Sequence, residues 1–145
     1  MAGDSGIIKV LFVCTGNACR SQMAEGWART LETESIEAFS AGIRPLGVSE
    51  KAIAVMAEAG VDISNQCSEH VDDYFGVEFD YVITLCGDAA ESCPVFGGGV
   101  RVVHKPFVDP YFASGSEEEV MAFFRKVRDE IREFVESLPG SLDCG

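Results

Sequence analysis

The run Cys14-Thr15-Gly16-Asn17-Ala18-Cys19-Arg20-Ser21 holds the residues best suited to chemistry in this chain. A thiol six residues ahead of an arginine pairs a soft nucleophile with a planar fork that matches a tetrahedral oxyanion. Gly16 and Asn17 between them suit a tight loop whose successive backbone N–H groups aim at one point. A helix starting at the end of that loop adds its partial positive charge there and favours the Cys14 thiolate. Nucleophile and anion cradle then belong to one loop. Taken singly, a cysteine at a strand end is a small buried hydrophobe and a Gly–Asn pair is a turn. The complete C-x5-R-S pattern, set between a strand and a helix, is far more specific.

The flanking residues supply both elements. Ile7 to Val13 is apolar and β-branched apart from Lys9, which predicts a buried strand over 7–13. Met23, Ala24, Trp27, Ala28 and Leu31 recur at helical spacing and predict a helix over 21–33. Further on, the patterns predict a short strand over 36–40, a helix over 49–59 capped by Gly60, and a short surface helix over 68–74. Strands follow over 79–85 and 100–104. A last helix opens on a capping box of Ser116 and Glu119, and Pro139 and Gly140 end it. Strands alternating with helices predict an α/β fold, a parallel sheet covered on both faces, with ligands beyond the carboxyl ends of its strands. Cys14, Cys86 and Asp109 then fall on one edge of the sheet.

Cys86 and Cys93 form a second constellation, in Thr84-Leu85-Cys86-Gly87-Asp88-Ala89-Ala90-Glu91-Ser92-Cys93-Pro94. On an ideal helix, seven positions hold two sulfurs too far apart to bond, so pairing requires the segment to unwind. Gly87, the polar run and Pro94 are compatible with that. Two unrelated thiols are the alternative; beside a thiolate nucleophile on the same sheet edge, a thiol relay is the stronger reading. Asp109 in Val108-Asp109-Pro110-Tyr111-Phe112 is either a turn residue or a general acid to a leaving oxygen, walled by Tyr111 and Phe112. His70 and His104 have no motif around them and read as packing or solvent-contact residues.

At 145 residues the chain reads as one domain, 1–145, with mobile ends at 1–6 and 140–145. The start lacks the pattern of a signal peptide and no apolar run approaches a membrane span, so a cytoplasmic protein is expected. A net charge of −13 argues against nucleic acid and anionic membrane as partners. Six cysteines with only two histidines fit neither a secreted disulfide framework nor a zinc site, so no metal is expected and redox chemistry remains.

With CTGNACRSQMAEGW (14–27), SAG (40–42), DISNQ (62–66), TLCGDAAESCP (84–94) and the Asp109–Pro110 pair, the chain resembles the thioredoxin-coupled arsenate reductases, which share the fold of low-molecular-weight protein tyrosine phosphatases. The resemblance runs from about residue 8 to residue 135. It implies a four-stranded parallel sheet in the order 2-1-3-4. It also implies that Cys14 attacks arsenate while Arg20 and the amides of Thr15, Gly16, Asn17, Ala18, Cys19, Arg20 and Ser21 hold the oxyanion. Ser21 would hydrogen-bond the Cys14 thiolate. Asn17 would be left-handed and braced by Ser40. Asp109 would protonate the departing hydroxyl. Cys86 and then Cys93 would carry the disulfide onward to thioredoxin, with arsenite released and no cofactor beyond that protein reductant, and the enzyme is expected to be a monomer. Several relatives bind potassium through residues matching Asn17, Glu25 and Ser40 together with a threonine and an aspartate; here those last two are Cys67 and Glu69, and a thiol is a poor ligand for a hard cation. A phosphatase acting on aryl phosphates is the second reading, although Gln22 stands where phosphatases of this fold usually have proline. A non-catalytic oxyanion-binding or phosphocarrier domain is the third, and Arg20 counts against it.

Overall fold

The computed structural model describes residues 7–31, 35–74, 76–85, 101–108, 110 and 113–138. The chain runs β1 (Ile8–Cys14), α1 (Arg20–Leu31), β2 (Ile36–Gly42), α2 (Glu50–Glu58), a 3-10 turn (Val71–Tyr74), β3 (Tyr81–Thr84), β4 (Arg101–His104) and α3 (Glu117–Glu136). The four strands form one parallel sheet in the order β2-β1-β3-β4, the order the family resemblance implies. β1 is paired on both sides: Cys14 lies opposite Gly42 on β2, and Val13 opposite Thr84 on β3. That central place explains its composition, since Val10, Leu11, Phe12 and Val13 are all fully buried.

The two faces of the sheet are covered unequally. Val10, Phe12 and Cys14 point into the main core with Met23, Ala24 and Trp27 of α1, Val55 and Met56 of α2, and Phe124, Val127, Ile131 and Val135 of α3. Burying each of those large side chains contributes about 1.5–3 kcal/mol. The alternate residues Leu11 and Val13 point the other way, toward Phe79, Val82 and Val71. Among the described residues, helical cover on that face is the 3-10 turn alone, so helices do lie on both faces but the long ones share one. Phe39, Tyr74 and Phe79 close the second face as three edge-to-face pairs with centroids 5.4–5.9 Å apart.

Element ends differ from the sequence pattern by a residue or two. Ser49 caps α2 through a bond from the Ala52 amide, and Gly60 takes the positive φ that ends it. The Ser116–Glu119 capping box is present in full. The expected surface helix over 68–74 shrinks to a single 3-10 turn, because residues 67–69 are occupied in bonding to Asn17 of the loop after β1 and to Gln22 at the start of α1. Among the described residues no helix is long and apolar enough to cross a membrane.

Candidate active site

β1 ends at Cys14, and the chain turns through residues 15–19 before α1 begins at Arg20. Donors outside the turn take up its carbonyls one after another. Thr15 O accepts the amides of Ile43 (2.9 Å) and Arg44 (2.8 Å), Gly16 O that of Leu46 (2.9 Å), and Ala18 O that of Ser49 (3.0 Å). Asn17 O accepts from Ser68 Oγ (2.6 Å) and Gln22 Nε2 (3.0 Å). A planar trans peptide points its N–H opposite to its C=O. The amides that follow these carbonyls therefore turn to the inner side of the loop. Among the described residues, the amides of Gly16, Asn17 and Ala18 donate to no protein acceptor, although all three residues are buried. Buried backbone donors without acceptors are rare in folded proteins. Three in succession at a helix N-terminus make an anion-binding cradle.

The side chains of the loop form a directed chain of hydrogen bonds. Asn17 Nδ2 donates to Ser21 Oγ at 2.7 Å. With an oxygen lone pair thus engaged, the Ser21 hydroxyl hydrogen is available for Cys14 Sγ, 2.9 Å away. Asn17 sits at φ 47°, in the left-handed region that asparagine tolerates. Its Oδ1 accepts the Glu69 amide at 2.7 Å. The brace expected from Ser40 is thus supplied instead by Ser68, Glu69, Gln22 and Ser21. Ser40 Oγ donates to Glu25 at 2.5 Å, because Ser40 lies opposite Phe12 in the sheet and faces α1.

Arg20 is buried and gives Nη1 to two carbonyls, Leu85 O (3.0 Å) and Phe107 O (3.1 Å). Leu85 immediately precedes Cys86, and Phe107 lies two residues before Asp109. The arginine therefore gathers the chain leaving β1, β3 and β4 at one sheet edge, as the topology required. Cys86, Cys93 and Asp109 themselves lie outside the described residues, as do Tyr111, Phe112 and Cys144. Cys19 is buried in the main core and Cys67 is exposed. His104 Nδ1 is 2.7 Å from Thr84 Oγ1, and His70 Nδ1 accepts the Asp72 amide, so both histidines are engaged locally. A cavity of about 710 Å³ lies between residues 103–108 and α3, lined by Phe107, Glu130 and Phe134 among others. No residue of the Cys14–Ser21 loop lines it.

Sequence reasoning missed the outer sheath of the loop. Gln22 Nε2 donates to Asn17 O and Cys67 O, both at 3.0 Å, and Gln66 Nε2 donates to Gln22 Oε1 at 2.7 Å. The signal was present in DISNQ, whose Asp62 forms a local turn with Ser64 and whose Gln66 reaches Gln22 at the start of α1. The Ser64 hydroxyl and amide hold the Asp62 carboxyl below its ordinary range. Gly42 is demanded by the same close packing. A Cβ there would meet Asn17 N and Thr15 O at 2.8 Å, both backbone atoms.

A strand, an amide cradle around a cysteine, and a buried arginine at the start of a helix define a cysteine-dependent oxyanion enzyme fold. The chain belongs to the low molecular weight phosphotyrosine protein phosphatase family, whose model matches residues 9–144. An arsenate reductase of Bacillus subtilis (strain 168) is 48% identical over 132 residues, covering 88% of this chain and 95% of that protein. Arsenate reductase 2 of Staphylococcus saprophyticus is also 48% identical, over 84% of this chain and 88% of its own. Among solved structures, an arsenate reductase in the reduced state superposes with a TM-score of 0.76 at 37% identity, covering 93% of this chain and 98% of that one. A low molecular weight protein tyrosine phosphatase from T. tengcongensis, at 24% identity and a TM-score of 0.70 over 90% of this chain and 97% of that one, shares the fold.

Proposed function

We propose that the protein is an arsenate reductase that works as a cytoplasmic monomer, with Cys14, Cys86 and Cys93 as its thiols and thioredoxin as its reductant. The observation that carries the oxyanion chemistry is the amide cradle of residues 16–18 beside Cys14. Arginine and the loop amides suit any tetrahedral oxyanion, so the cradle alone serves arsenate and phosphate equally. The choice of arsenate rests on the named relatives and on the Cys86–Cys93 pair, which phosphate hydrolysis has no use for.

Arsenate enters the cradle with its oxygens on the loop amides and the Arg20 guanidinium. Ser21 stabilises the attacking Cys14 thiolate and is itself oriented by Asn17. The Cys14 sulfur bonds to arsenic and a hydroxyl leaves as water, its proton coming from Asp109. Cys86 then attacks the Cys14 sulfur. The S–As bond breaks with its electron pair left on arsenic, which departs as arsenite, and a Cys14–Cys86 disulfide remains. Cys93 attacks Cys86, frees Cys14 and leaves a Cys86–Cys93 disulfide. Two thiols of thioredoxin reduce that disulfide by exchange, which restores the enzyme.

Hydrolysis of an aryl phosphate is the competing reading, favoured by the family match and by the Asp109-Pro110-Tyr111-Phe112 run. The two are separated by following NADPH oxidation with arsenate, thioredoxin and thioredoxin reductase, beside hydrolysis of p-nitrophenyl phosphate without reductant. Arsenate-dependent oxidation in the parent that is lost in Cys14→Ser, Cys86→Ser and Cys93→Ser supports the reductase. No oxidation together with fast phosphate hydrolysis that is indifferent to Cys86→Ser establishes the phosphatase. Anion binding with neither activity leaves a non-catalytic oxyanion-binding domain.

A further inference from the structure

Glu25 is a buried carboxylate on α1 whose two oxygens are both engaged. Ser40 Oγ donates to Oε1 at 2.5 Å, and Arg29 Nη2 lies 2.5 Å from Oε2. Arg29 also donates to the Ala38 carbonyl at 3.5 Å. Ala38 and Ser40 are alternate residues of β2, so the Glu25–Arg29 pair, one helical turn apart, grips that strand at two points. β2 then ends at Gly42, packed against the backbone of Thr15 and Asn17 in the oxyanion loop. Burial pushes the Glu25 carboxyl up, with nearby Glu69 adding to it, while Ser40 and Arg29 pull it down. A carboxylate this deep requires such partners.

The residues matching the potassium ligands of the resembling reductases do not fit a hard monovalent cation here. Asn17 Oδ1 already accepts from the Glu69 amide, and Asn17 O from two side chains. Both Glu25 oxygens are taken, one by the Ser40 hydroxyl hydrogen and the other by Arg29. Cys67 is an exposed thiol, soft where potassium calls for oxygen. We propose that the Arg29 guanidinium stands in for the cation: it neutralises Glu25, and through Glu25 and Ser40 it holds the end of β2 against the oxyanion loop without any bound metal. Arg29 is a positioning residue, remote from the reacting atoms.

Thermal unfolding at constant ionic strength, in potassium chloride and in choline chloride, tests this without relying on any activity. The parent should have the same Tm in both salts. Arg29→Met, which keeps the aliphatic length but removes the charge, should have a lower Tm than the parent, by the same amount in choline and in potassium. Arg29→Lys keeps the charge and should match the parent in its indifference. A saturable, potassium-specific rise of Tm in the parent overturns the proposal, and so does an Arg29→Met protein whose Tm equals that of the parent. Failure here leaves the arsenate reading untouched, because the readout is stability alone.

Discussion

A Cys14 thiolate can only accept, so in that form the 2.9 Å contact beside it is a hydrogen bond donated by Ser21. Its oxygen receives Asn17 Nδ2 and its hydrogen is left for the sulfur. A hydrogen bond to a charged group is worth about 1.5–3 kcal/mol. Ser21→Ala should therefore lower kcat/KM for arsenate roughly ten- to a hundredfold while leaving the fold intact; a change below about twofold would remove Ser21 from the chemistry. Residue types alone made Cys14, Arg20 and Ser21 legible, because the C-x5-R-S spacing has little use outside an oxyanion loop. The partners of Asn17 were not legible. Ser68 and Glu69 lie some fifty residues away in the chain, and nothing local in either indicates that they bond to it. The same holds for Ser40, whose partner Glu25 is settled by which side of β2 faces α1.

At the scale of elements, the oxyanion loop depends on the strand beside it as much as on its own residues. A Cβ on Gly42 would press on two backbone atoms of the loop at 2.8 Å, and neither can yield without moving the cradle. Gly42→Ala should cost about 1–3 kcal/mol of stability, as overpacking does, and should weaken competitive inhibition by phosphate more than it lowers Tm would suggest. Unchanged phosphate inhibition would show that the loop adjusts. α3 offers a pH-dependent counterpart away from the site. The Ser116 amide and hydroxyl hold the Glu119 carboxyl below its ordinary value. A lowered folded pKa contributes stability at pH values above the unfolded pKa and loses it as pH falls through the folded one. Glu119→Gln should thus reduce Tm at neutral pH and matter progressively less below about pH 4, as unfolding curves across that range would show. This capping box was readable because it is wholly local. The crowding of the three long helices on one face was not, since periodicity identifies a buried stripe without saying which side of the sheet it meets.

For the whole molecule, a charge of −13 opposes an anionic substrate, so the cradle must draw arsenate by short-range donors. Modest addition of choline chloride from low ionic strength should lower the KM for arsenate by screening that repulsion; a rising KM would mean that a local positive field steers the substrate instead. The parallel α/β architecture was legible from alternating strand and helix patterns, and its strand order from family resemblance. The meeting of three strand ends at Arg20 follows from that order, because Leu85 and Phe107 leave adjacent strands on the same side. The most direct test of the thiol relay is a count of arsenite released by Cys93→Ser in the presence of thioredoxin, thioredoxin reductase and NADPH. With Cys14 and Cys86 intact but no onward acceptor, about one arsenite per enzyme is expected before the Cys14–Cys86 disulfide stops the reaction. Sustained release over many turnovers would contradict the relay and with it the role given to Cys93.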